Sequence, residues 1–111
     1  MEWDIAYYHE DVQNAILDFP AGLQARYVHL TERMAHFGPD LGMPHTRAMG
    51  KGLFELRMKA KEGMGRVFFC TLAGRQIMML HAFVKKSAKT PKNEMKIARA
   101  RLNEVKSDED A

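Results

Sequence analysis

The segment HAFVKKSAKTPKNEM, residues 81–95, starts with the alternation of a strand and ends with the spacing of a helix, and it places Lys85, Lys86, Lys89 and Lys92 within eight positions. A solvated turn needs one or two cations at most. Upstream, LFELRMK sets Arg57 and Lys59 at alternate positions, and Arg66 opens GRVFFC. Alternate residues of a strand share a face. If Phe54, Leu56 and Met58 face a core, Arg57 and Lys59 stand on the other face. Lys85 and His81 likewise share the face opposite Leu80 and Val84, and Arg66 can join them. Such a face is a basic bowl with Arg57 and Arg66 as its floor and the lysines closing one edge. Guanidinium forks and ammonium groups so placed can bind phosphate and offset charge that builds up on it.

Each residue also has a plainer use. Arg57 can pair with Glu55 or Glu62, Lys85 and Lys86 can guard an edge strand, and His81 can be a packed histidine. His45 and Arg47 fall in a long loop that could touch a ligand. Other chemistry is absent. There is no Walker loop, GxGxxG, CxxC or HExxH. One cysteine and five scattered histidines give no zinc spacing, and no two acids share the basic face, so neither metal nor cofactor is expected.

Charge is divided along the chain. Residues 1–46 hold two Lys/Arg against seven Asp/Glu, whereas residues 47–101 hold fourteen against three. A basic segment of that size attracts a polyanion, most often nucleic acid. At 111 residues the chain fits one domain, expected over 1–107, with 108–111 a disordered acidic tail. The lone Cys70 fits a reducing cytoplasm, the acidic start MEWDIAYYHED lacks the basic region of a signal peptide, and no apolar run suits a bilayer. A cytoplasmic protein with no membrane partner is expected.

The elements that must position these cations follow from periodicity. WDIAYY alternates as a short strand, and EDVQNAILDF is a short helix with Val12, Ala15 and Ile16 on one face. Pro20 opens a second helix on which Leu23, Tyr27, Leu30, Met34 and Phe37 form an apolar stripe, stopped by Gly38 and Pro39. Residues 38–52, rich in Gly and Pro, read as a loop. Three strands, LFELRMK, GRVFFCTL and RQIMMLHAFVKK, then make an antiparallel meander. Thr90-Pro91 caps a last helix with Met95, Ala98, Leu102 and Val105 inward and Lys96, Arg99 and Arg101 outward. The expected class is α+β in the order β-α-α-β-β-β-α, with helices on one sheet face and the other face open.

At GLFELRMK, GRVFFC and HAFVKKSAKTPKNEMKIARARL the sequence resembles the RelE/ParE toxin superfamily, within it the HigB-like, phage-derived branch of toxin–antitoxin systems. The resemblance covers nearly the whole chain and implies the same RelE-like fold order. It implies a ribosome-dependent mRNA endoribonuclease, an mRNA interferase that inhibits translation without a metal. In that chemistry the ribose 2′-OH attacks the adjacent phosphate and leaves a 2′,3′-cyclic phosphate and a 5′-OH. The matching catalytic positions are Arg57, Arg66, Lys85 and Lys86. Many relatives carry a catalytic Tyr or His near the end of the chain, but no tyrosine follows Tyr27 here. Proton transfer therefore falls to His81 or a lysine. Lys59, Lys89, Lys92, Phe83 and Arg47 would line the RNA path, Phe83 by stacking on a base. The implied partners are mRNA in the ribosomal A site and a cognate antitoxin, usually a helix-turn-helix repressor. Two other readings stay open: a ParE-like inhibitor of DNA gyrase, and an inactive module that only binds its antitoxin.

Overall fold

The structure, a computed structural model, describes residues 2–85 and 91–110. The element order is β1 (Asp4–Tyr7), α1 (Glu10–Leu17), α2 (Ala21–Phe37), β2 (Thr46–Gly50), β3 (Leu53–Ala60), β4 (Gly63–Leu72), β5 (Gln76–Lys85) and α3 (Lys92–Asp110). One five-stranded sheet runs β1-β5-β4-β3-β2; β1 lies parallel to β5 and the other pairs are antiparallel. This is the α+β order expected, with one strand more. The segment expected as a loop contains β2. The chain turns from it into β3 through Lys51 and Gly52, both at positive φ, which matches the right-handed twist of a two-residue hairpin.

Val12, Ile16, Leu23, Tyr27, Leu30 and Met34 of the helical hairpin pack on Leu56, Met58, Val67, Phe69, Ile77 and Met79 of the sheet. The stripe ends at Met34, because Phe37 is 78% exposed in the last helical turn. Tyr27 buries its hydroxyl against that of Tyr7, 2.7 Å away, which ties α2 to β1 and satisfies a polar group that burial would otherwise penalise.

The helices do not all lie on one face. Ala98 and Leu102 of α3 pack on Leu53, Phe68, Cys70 and Leu80, on the face opposite the hairpin. The second face is therefore half covered rather than open. A β-bulge makes this possible. Phe68 pairs with His81 but Phe69 pairs with Met79, so Leu80 is an extra residue in β5. Before the bulge Ile77 and Met79 face the hairpin; after it Ala82 does, while Leu80 turns to α3. Strict alternation would set Leu80 opposite His81, but the bulge puts both on the α3 face.

The arginines of α3 point inward, not out. Arg101 donates from Nη1 to Leu80 O at 2.8 Å, from Nη2 to Asp11 Oδ2 at 2.8 Å, and lies over the Tyr8 ring. Arg99 donates to Met49 O and Gly50 O, each at 2.7 Å, and holds the β2 end. Pro91 O accepts from Met95 N, so Pro91 sits just before the helix; Thr90, the expected cap, lies outside the described residues. The expected acidic tail is helical through Asp110, because Glu109 accepts from Ala73 N at 2.6 Å and pairs with Lys106.

Replacing Arg101 with Ala should lower unfolding free energy by about 1–3 kcal/mol, since Leu80 O loses its donor at the bulge. Asp11→Asn should cost less, its side chain being 53% exposed. The Arg101 hydrogen bond, foremost, holds the Asp11 carboxyl below its usual range. Its contribution is complete above about pH 4 and fades as pH falls through the lowered pKa. Urea titrations of both variants at neutral and acid pH check these expectations.

Candidate functional site

Half of the α3 face is left to charge. Successive rungs across the sheet bring its residues together. Arg47 of β2, Glu55 of β3, Phe68 of β4 and His81 of β5 are paired in one rung; Arg57, Arg66 and Phe83 make the next; Lys59, Met64 and Lys85 make the third. Side chains on adjacent same-face rungs lie about 6.6–7 Å apart along a strand. The Arg57 N–H points to His45 O, away from β4. Arg57 and Arg66 are thus a narrow, non-hydrogen-bonded pair whose side chains stand close.

Two like charges at that spacing need a counter-charge, and Glu55 supplies it. Its Oε1 lies 3.3 Å from Arg66 Nη1 and 3.8 Å from Arg57 Nε. Glu55 and Arg66 are each only 2% exposed, whereas the Arg57 side chain is 24% exposed. Burial, foremost, draws the Arg66 guanidinium below its ordinary range; Glu55 opposes the shift, and Arg57 and Arg47 add to it. Lys85 is drawn down as well, first by burial and then by Arg66. Glu55 Oε2, Arg57 Nε and Arg66 Nε are buried without a hydrogen-bond partner among the described residues. A native interior leaves few such atoms. All three belong to the one Glu55–Arg57–Arg66 cluster.

The alternation puts Arg57, Arg66, Lys85, His81, Lys59 and Phe83 on one face, and the rungs bring these six together; Arg47, expected in a loop, joins them from β2. Two details differ. Arg66 lies beneath the surface, so it acts on a ligand above it mainly through its field. His81 is tied down, its Nε2 lying 2.6 Å from Glu94 Oε2. A carboxylate only accepts, so Nε2 carries the hydrogen and Nδ1 is the nitrogen left over. Phe83 is flanked by Phe68 and His81, with ring centroids 5.8 and 5.9 Å away, and offers a half-buried ring for stacking. Lys92 is exposed at the start of α3. Lys86 and Lys89 lie outside the described residues. Glu55 is what sequence reasoning missed, having treated it only as a surface partner for Arg57. The signal was a lone acid between Leu53 and Arg57 on the face that carries the cations.

Among the described residues no three His, Cys, Asp or Glu side chains gather as a metal site would require. Cys70 is buried, and burial pushes its thiol up to about 11, far from the range of a nucleophile. No helix among the described residues is long and apolar enough to cross a membrane.

Glu55→Ala should cost about 3–5 kcal/mol, because it strands the Arg66 charge in the interior. Changing Glu55 to Leu and Arg66 to Met together should recover most of that loss. A double-mutant cycle by urea denaturation measures both. A single-variant cost below about 1 kcal/mol would mean that the pair does not hold β3 to β4.

No curated protein matches the chain. Among protein families, residues 14–103 match the phage-derived protein Gp49-like family (DUF891), so the match takes in the second half of α1, all of α2, every cation of the three rungs and most of α3. The chain belongs to this Gp49-like, phage-derived family, which is a RelE/toxin-like family.

Proposed function

We propose that the protein is the toxin of a toxin–antitoxin module and cuts mRNA on the ribosome as a metal-independent endoribonuclease of HigB-like type. The observation that carries this reading is the second rung. Arg57 and Arg66 stand side by side over one buried carboxylate, with Phe83 beside them in the same rung. A phosphodiester seated there meets the Arg57 fork and the Arg66 field while its base stacks on Phe83. The neighbouring rungs then hold the proton-transfer groups on either side. The 2′-oxygen forms its bond to phosphorus as its proton passes to His81 Nδ1, the ring being oriented by Glu94. The P–O5′ bond breaks as Lys85 Nζ gives a proton to the leaving oxygen. The products are a 2′,3′-cyclic phosphate and a 5′-OH. A lysine whose pKa has come down from its ordinary value is a better acid for that step than a solvated one. Lys92, exposed at the start of α3, adds positive charge to the same reading, and Lys86 and Lys89 are the remaining basic residues we propose for it.

A domain with such a face in the cytoplasm calls for restraint, and a cognate antitoxin of the helix-turn-helix repressor type is the partner we propose. Leu17 and Val28, exposed on the hairpin helices, offer it an apolar foothold.

Arg57→Ala should fold normally, as a partly exposed residue, and lose about 10²-fold or more of cleavage on ribosomes programmed with a defined mRNA. The product ends should be cyclic phosphate and 5′-OH. Wild-type cleavage should decline at alkaline pH along a limb that begins below the ordinary lysine pKa. Lys85→Arg, which stays protonated but is too weak an acid, should lower the rate by about 10²-fold and remove that limb. Intact mRNA beside blocked DNA supercoiling would replace this reading with gyrase inhibition.

A further inference from the structure

The basic surface does not stop at the sheet. Pairing of β2 with β3 ends at Thr46 and Leu56, and one more bond joins Arg57 N to His45 O at 2.8 Å. Beyond it the outer edge of β3, Met58 to Ala60, has no strand beside it among the described residues. There a cleft of about 330 Å³ opens between sheet and hairpin, lined by Arg26 of α2, Pro44, His45, Arg57, Met58 and Lys59, among others. That is the size of a small ligand site.

Four of its walls are nitrogen donors: the guanidinium groups of Arg26 and Arg57, the Lys59 ammonium and the His45 ring. Among the described residues no carboxylate lines it. Arg26, Lys59 and His45 form no ion pair among the described residues. By the two-residue period of the strand, the Lys59 N–H also points out across this edge, as the Arg57 N–H does. His45 is held below its ordinary range, first by burial and then by Arg33, Arg26 and His29, so near neutral pH it offers an N–H and not a charge. The hairpin's acids, Glu10 and Asp11 on α1, Asp18 at its end and Glu32 on α2, are not among the residues that line the cleft.

Arg57 belongs to both places. Its Nε faces buried Glu55, while the residue also lines the cleft. From Arg66 to Arg57 to the cleft is a walk of one strand spacing, about 4.8 Å, at each step. We propose that this edge cleft is a second phosphate site, which grips the RNA backbone next to the reacting phosphodiester and bends the strand over the edge of β3 towards α2. The proposal rests on the RNA-cleaving reading above, and Arg26 is the residue that separates the two.

The test uses fluorescence anisotropy with uncleavable 2′-O-methyl RNA, as a dinucleotide and as a longer oligonucleotide, over a range of salt. Arg26 is exposed, so Arg26→Ala should fold as wild type. It should bind the dinucleotide unchanged and the longer RNA several-fold more weakly. Its salt slope on the longer RNA should be shallower by about 0.7, the share of a single neutralised phosphate on a single strand. His45→Ala should weaken the longer RNA and leave the dinucleotide alone. If Arg26→Ala and His45→Ala match wild type on both RNAs while Arg57→Ala weakens both, the edge cleft is not a phosphate site and the RNA reading stands. If wild type binds neither RNA at low salt, the cleft proposal falls, while the ribosomal reading stands or falls with the cleavage assay on programmed ribosomes.

Discussion

One buried carboxylate decides whether this sheet can carry its charge. Arg47, Arg57, Arg66 and Lys85 converge on one face of four adjacent strands, and without Glu55 that face would be a stack of mutual repulsion. Glu55 neutralises part of it from below, where water cannot screen the interaction. Burying an ion pair is a poor way to gain stability, since the desolvation cost rivals the attraction. The arrangement makes more sense as a means of fixing positions. It sets two guanidinium groups side by side and leaves polar atoms of all three side chains unused.

The sequence was informative about faces and poor about coverage. The alternation in LFELRMK placed Arg57 and Lys59 opposite Leu56 and Met58, and the structure agrees. The same logic failed on β5, because a single extra residue at Leu80 reverses the alternation and nothing in RQIMMLHAFVKK announces a bulge. It failed again for α3. Arg99 and Arg101 look solvent-facing on a helical wheel, but long side chains can reach past their own helix to carbonyls that a bulge and a turn leave without strand partners. β2 was readable from the Gly-Lys-Gly turn that precedes LFELR, but a segment so rich in Gly and Pro masks a strand of five residues. Glu55 was visible only as a residue type; its burial depends on what four strands put around it.

The basic residues therefore divide by task. Arg99, Arg101 and Lys106 each donate to a backbone carbonyl and fasten α3 to the sheet. Arg57, Lys59 and Lys85 are the ones we propose for a ligand. Net charge alone cannot separate the two groups, and a positive segment overstates the surface available to a polyanion when some of its charges serve as clamps. His81 sits between these roles, fastened to Glu94 at one nitrogen and open at the other.

The order of strands also bears on self-association. The two strands most prone to pair with copies of themselves, β4 with its Val-Phe-Phe-Cys run and β5 with Ile-Met-Met-Leu, each have a neighbour on both sides. The edges go to β1, four residues long and led by Asp4, and to β2, five residues long, interrupted by a shift in register and bearing Arg47. The bare end of β3 carries Lys59 and runs into Lys61 and Glu62. Short, charged or irregular edges are poor templates for another chain. A folded copy can thus accumulate at high concentration without seeding amyloid, and the hazard is confined to chains whose central strands have not yet found their neighbours.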